Sequence, residues 1–105
     1  MRAYIAGHVA DPTLAPAAIA RAHFISRSYL DRLFEDEPRT VAEQIRDARL
    51  ERCRRDLADP RLADRTVLEV ALGWGFQSAA HFSRAFRARY GMSPRDARAI
   101  PVKEE

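Results

Sequence analysis

The sequence predicts an all-α fold: seven helices, arranged as two similar units joined by a long central helix. Three observations predict it. No stretch alternates apolar and polar residues for long enough to make a sheet. Apolar residues recur instead at helical steps, as in Phe82, Phe86 and Tyr90. A pair of helices with its turn also occurs twice, with Val70-Ala71 falling 51 residues after Ile19-Ala20. At 105 residues the chain makes one compact domain, or two very small ones sharing an element. Such a length buries a real but modest core.

Taken in order, Tyr4, Ile5 and Val9 mark a short first helix that ends near Asp11-Pro12. A second helix runs from about Ala15 to His23, with Pro16 in the first turn, where proline fits best. Ile19 and Ala20 face inward, with Ala22 beside them. After a turn at Phe24-Ile25, Ser26 caps a third helix whose buried stripe is Leu30, Leu33 and Phe34. Thr40 then caps a longer helix, about Val41 to Leu57. Its apolar residues change sides partway: Val41, Ile45 and Ala48 form one stripe, and Leu50, Cys53 and Leu57 form another on nearly the opposite face. A surface helix carries one stripe. Two in succession describe a strut buried first in one small core and then in a second.

Asp59-Pro60 opens a loop, and Thr66 to Glu69 reads as a capping box. Val67, Val70, Ala71 and Trp74 give the fifth helix its buried face, and Gly75 supplies the left-handed residue that ends it. Ser78 caps the sixth helix, which Gly91 terminates. Ser93-Pro94 starts a last short helix. The boundaries expected are 4–39 for the first unit, 41–57 for the strut, 62–99 for the second unit and 102–105 for a loose tail.

The sixth helix has two unlike sides. Phe82, Phe86 and Tyr90 line one; Ala80, His81, Arg84 and Arg87 point the other way. A face of Arg, His, Ser and small Ala differs from the usual Glu–Lys mixture of a solvated surface. It suits a DNA major groove, where Arg reads guanine and Ala lets the backbone approach. The repeat strengthens this. Ser26, Leu30, Arg32 and Phe34 match Ser78, Phe82, Arg84 and Phe86 at an offset of 52, so the turn holds one extra residue. A helix–turn–helix places its second helix in the major groove. Two of them on one strut would enter grooves roughly 34 Å apart along DNA.

Composition narrows the alternatives. The net charge is +3, and of the 18 basic residues Lys103 alone is lysine. A GC-rich genome explains that bias as readily as the planar phosphate and guanine contacts of arginine do. Cys53 is the lone cysteine, which excludes an internal disulfide or a cysteine-based zinc site. No metal ligands stand at metal spacing, no cofactor motif occurs, and no nucleophile, base and orienting acid fall together. No apolar run reaches membrane-spanning length, and the N-terminus lacks the apolar core of a signal peptide. A cytoplasmic, non-enzymatic protein is expected, without membrane partners.

In the order Arg49-Leu50, Val70-Ala71, Gly75-Phe76, Ser78, Phe82, Phe86, Gly91 and Ser93-Pro94, the chain resembles the AraC/XylS family of bacterial transcription regulators. The resemblance spans about Tyr4 to Ala99. It implies a seven-helix domain of two helix–turn–helix units that binds double-stranded DNA. By position it assigns DNA contact to Arg27, Ser28, Asp31 and Arg32 in the first unit, and to Ser78, Ala79, Ala80, His81, Ser83 and Arg84 in the second. Arg87 joins them through its place on the outward face. Recognition helices at about 26–36 and 78–90 are expected.

Three departures stand out. Phe24 and Arg39 occupy positions where the family often has glycine, which bears on the geometry of the first unit. Asp31, Glu35, Asp36 and Glu37 place acid where phosphates would lie. Family members usually carry a separate sensing or dimerisation domain, most often N-terminal, whereas here Met1 falls almost at the first helix. The chain is therefore either a domain cut from a longer protein or a short member. RNA polymerase and such a sensing domain are the further partners the resemblance admits. The competing expectation, motivated by the acids and the modest charge, is a helical protein-interaction module that keeps the fold with weak or no DNA affinity.

Overall fold

A computed structural model describes residues 2–99; the tail expected at 102–105 lies outside them. The described residues form seven α-helices and no strand. These are α1 (Arg2–His8), α2 (Pro16–Ala22), α3 (Arg27–Leu33), α4 (Val41–Ala58), α5 (Val67–Gly73), α6 (Ala79–Tyr90) and α7 (Pro94–Arg98). A single 3₁₀ turn at Pro60–Leu62 sits in the loop after α4, started by Asp59, whose carboxylate accepts from Arg61 N–H.

The caps stand where the sequence puts them. Ser26, Thr40, Thr66, Ser78 and Ser93 each accept a backbone N–H from three residues on. Thr40 and Thr66 both form full capping boxes, with Glu43 and Glu69 accepting in return from the cap N–H. The second box was expected. The first follows the same Thr-x-x-Glu pattern and supplies a second orphan donor with a partner.

The two stripes of α4 enter two different cores. Val41 and Ile45 pack with Ile5, Leu14, Ile19, Ala20 and Leu30. Leu50, Cys53 and Leu57 pack with Val70, Ala71, Phe76, Phe82 and Phe86. No buried residue belongs to both sets. In the second core Phe76, Phe82, Phe86 and Tyr90 form a continuous row, with successive ring centroids 5.0, 5.6 and 4.7 Å apart. Fully burying one such ring stabilises the fold by roughly 1.5–3 kcal/mol. Trp74 completes this core and satisfies its indole N–H by donating to Asp56 Oδ2 at 2.7 Å, while α7 packs back along α4.

Two core assignments need correction. Leu33 is 49% exposed, and Ala22 is exposed as well. Both sit near the end of a seven-residue helix. A helix with two turns can present only one inward stripe, and Ile19, Ala20 and Leu30 already fill the small first core. Leu14, just before α2, supplies a buried side chain that periodicity did not mark.

Candidate nucleic-acid interface

The repeat holds at the level of hydrogen bonds. In the first unit Phe24 N–H donates to Arg21 O and Ile25 N–H to Ala20 O. In the second, Gly75 N–H donates to Leu72 O and Phe76 N–H to Ala71 O. Phe24 is thus the counterpart of Gly75, and both are left-handed, at φ 57 and 97. The phenylalanine does not change the turn. It occupies the same conformation with its side chain 97% exposed, at a steric cost glycine does not carry. With Ile25 paired to Phe76 and Ser26 to Ser78, the extra residue of the second turn is Gln77.

The helices that follow differ. α6 runs twelve residues and ends at Gly91 with φ 73, whose N–H donates to Arg87 O. α3 runs seven and ends at Leu33, so the expected span of 26–36 is too long. The residues after it, up to Pro38, turn back toward α4, with Glu37 N–H donating to Phe34 O.

On α6 the apolar side is buried at Phe82 and Phe86, and Ala79, Ala80, His81, Arg84 and Arg87 are exposed. Ser78 accepts from His81 N–H at 3.0 Å, so its hydroxyl serves as the cap. Ser83 is half-buried, flanking the exposed face. The His81 ring leans edge-on against Phe76 at 6.0 Å and remains exposed at the start of the helix. Neither Arg84 nor Arg87 has an ion-pair or side-chain hydrogen-bond partner among the described residues. Both guanidinium groups are available to a ligand.

On α3, Arg27, Ser28, Asp31 and Arg32 are likewise exposed, but they are occupied differently. Arg27 Nε donates to Asp31 Oδ1 at 3.1 Å, and Arg32 lies over the Tyr29 ring at 5.7 Å. Glu37 pairs with Arg2 from α1. On α3, Arg27 and Asp31 therefore neutralise each other, whereas Arg84 and Arg87 of α6 stand unpaired.

The structure adds residues that periodicity did not single out. A cleft of about 490 Å³ lies between α4 and α6, lined by Arg39, Glu43, Arg46, Asp47, His81, Arg84 and Arg89 among others. Asp47 takes Arg39 at 3.1 Å and lies 3.9 Å from Arg89, a bridge from the loop before α4 to the last turn of α6. Arg46 has no ion pair of its own and faces the same cleft as Arg84. Arg46 on its helix reads as a plain solvated residue, and Arg39 lies in the loop before it; only the fold sets them beside Arg84. No group of three or more His, Cys, Asp or Glu residues that could hold a metal occurs among the described residues, and no described helix is long and apolar enough to cross a membrane.

Comparison with known proteins gives a consistent set of matches. The family model described as a helix-turn-helix domain matches residues 19–100. The chain is similar to the HTH-type transcriptional regulator CdhR of Pseudomonas aeruginosa, 36% identical over 98 residues that cover 89% of this chain and 27% of that protein. It is also similar to the transcriptional activator NphR of a Rhodococcus species, 40% identical over 87 residues, covering 83% of this chain and 24% of the relative. The chain thus spans about a quarter of the length of these curated relatives. Among solved structures, an AraC-type DNA-binding regulator from Chromobacterium violaceum superposes with a TM-score of 0.79 at 27% identity, covering 95% of this chain and 89% of that one. The C-terminal domain of the response regulator AraT from Geobacillus stearothermophilus shares the fold at a TM-score of 0.86 and 24% identity, covering 98% and 84%.

Proposed function

The chain belongs to the AraC-type helix–turn–helix family, and we propose that it is the sequence-specific, double-stranded DNA-binding part of a bacterial transcription regulator. The observation that carries this is the free, exposed face of α6. Ala79 and Ala80 leave room at the helix start, His81 is exposed beside them, and Arg84 and Arg87 extend from the face without internal partners. α6 enters one major groove with Arg84 as its principal base-reading side chain, and α3 enters the next with Arg27, Ser28, Asp31 and Arg32. A molecule 43 Å long, with an 18-residue strut of roughly 27 Å between its units, is consistent with grooves roughly 34 Å apart. Residues 4–39, 41–57 and 62–99 act together as one DNA-binding domain. Arg46, unpaired beside Arg84, supplies a phosphate contact that adds to affinity and its salt dependence.

Family membership makes this a binding module rather than an enzyme. Because the named relatives are several times longer, a sensing or dimerisation part and RNA polymerase are proposed as its further partners, in the cytoplasm.

Selection of binding sites from a random duplex pool tests the reading. The wild type should enrich one motif. Arg84→Ala should relax it at one base pair, a loss of roughly 1–3 kcal/mol in discrimination. No enrichment at low salt, or an unchanged motif in the variant, overturns the assignment. The acids around α3 favour one rival, an interaction module without DNA affinity. A titration against random DNA separates them, since a DNA binder is tight at low salt and weakens steeply as salt rises.

A further inference from the structure

We infer that Arg49 is the positioning residue that holds the two reading helices at one separation and angle, so that it sets the spacing of the DNA half-sites the protein accepts. This rests on the DNA-binding function proposed above.

The two units share α4 but no core. Where they face each other there is an open groove of about 310 Å³, with Pro12, Leu14 and Pro16 on one side and Phe76 and Gln77 on the other. A helix joined to two cores through separate stripes does not by itself stop one unit from rocking against the other. Arg49 supplies a constraint beside the groove, where Val9 O also approaches Gly75. From the middle of α4 its Nε donates to Val9 O at 3.0 Å, and its Nη2 donates to Asp11 O at 2.7 Å and Leu14 O at 3.4 Å. All three carbonyls lie in the connection between α1 and α2, in the first unit.

The same guanidinium lies against Gly75, in the turn that launches α6. A methyl group built on Gly75 would stand 2.8 Å from Arg49 Nε, 3.1 Å from Cζ and 3.1 Å from Val9 O. Glycine is therefore needed twice over, for the left-handed backbone and for this approach. The loop of the first unit, the strut and the turn of the second meet on one planar group. The rigid fork of arginine can serve several carbonyls at once, whereas a lysine ammonium is a compact charge on a flexible stem.

Two measurements test this. The first needs no DNA: spin labels on Ala17→Cys in α2 and Ala88→Cys in α6 report the distance between the units. Cys53 is buried, with its thiol pushed up to about 12, so it stays unlabelled. The wild type should give one narrow distance distribution. Arg49→Lys and Arg49→Met should broaden it or add a second population while the helical circular dichroism is retained. An unchanged distribution overturns the proposal.

The second uses the selected duplex with one base pair inserted or deleted between half-sites, a shift of about 3.4 Å. The wild type should lose about tenfold in affinity or more, about 1.4 kcal/mol. Arg49→Lys should bind the original duplex more weakly and treat all three spacings within a few fold. Equal spacing penalties in wild type and variant, or a wild type indifferent to spacing, overturn it. If no duplex is selected at all, the DNA-binding reading fails and the distance measurement still decides the role of Arg49.

Discussion

Phe24 and Gly75 stand at the same place in two copies of one turn, at φ 57 and 97, with matching hydrogen bonds on either side. The copies diverge in what surrounds them. Gly75 is buried against Arg49, where no side chain fits. Phe24 is almost wholly in solvent, where a side chain meets nothing, and only the backbone resists it. The contrast shows which half of a glycine requirement each site retains. In the first unit it is conformational and can be overridden at some cost. In the second it is conformational and steric together. The two helices diverge in the same sense: α6 is long and presents Arg84 and Arg87 unpaired, and α3 is short with Arg27 tied to Asp31 and Arg32 over Tyr29.

This contrast can be broken by exchange at the turns. Gly75→Ala should destabilise by about 2 kcal/mol or more, combining the left-handed penalty with displacement of Arg49. Phe24→Gly should act oppositely, stabilising by roughly 1 kcal/mol, or a rise of several degrees in Tm for a domain of this size. Thermal or urea unfolding reads both. Shifts of the same sign would mean that the two turns are not equivalent.

A smaller effect concerns the helices themselves. Asp31→Ala should release Arg27 and remove an acid from the exposed side of α3. Because the pair is exposed, its stability contribution is small. The expected gain is in DNA affinity, about two- to fivefold at low salt, with a steeper salt slope. Binding isotherms at several salt concentrations check it. An affinity that falls instead would mark Asp31 as a base-reading acid, accepting from cytosine N4.

The smallest predicted effect is common to both units. Glu43 and Glu69 are held below the ordinary carboxylate value of 4.5, chiefly because the cap N–H groups of Thr40 and Thr66 bond the ionised form. A lowered folded-state pKa means stability that is present above 4.5 and lost as pH falls through the folded value. Tm should therefore decline on acidification below that point. Glu43→Gln with Glu69→Gln should flatten the decline without removing it, since Asp11 and Asp59 are lowered in the same way by hydrogen bonds from Thr13 and Arg61. A decline as steep as that of the wild type would place the acid sensitivity elsewhere.

The sequence by itself determined the caps, the seven helices, the two stripes of α4 and the repeat. These are signals of short range: Thr40 meets Glu43 and Ser78 meets His81 three residues on, and an apolar stripe is a period on one helix. The exposed face of α6 was legible for the same reason, since Arg84 opposes Phe82 and Phe86 on a single cylinder. What periodicity could not supply was the capacity of each core. Leu33 and Ala22 fit the pattern and still face solvent, because the first core is filled without them. The place of Arg46 and Arg39 beside Arg84 likewise depends on how α4 lies along α6.

Arg49 is the clearest case. In the chain it is one arginine among several on the strut, recognisable only as part of a resemblance. In the fold it holds carbonyls 35 to 40 residues away. Only the tertiary structure decides such a role, because a hydrogen bond that distant leaves no period and no spacing in the sequence. It exists once both cores have formed and brought the loop, the strut and the turn within reach of one guanidinium.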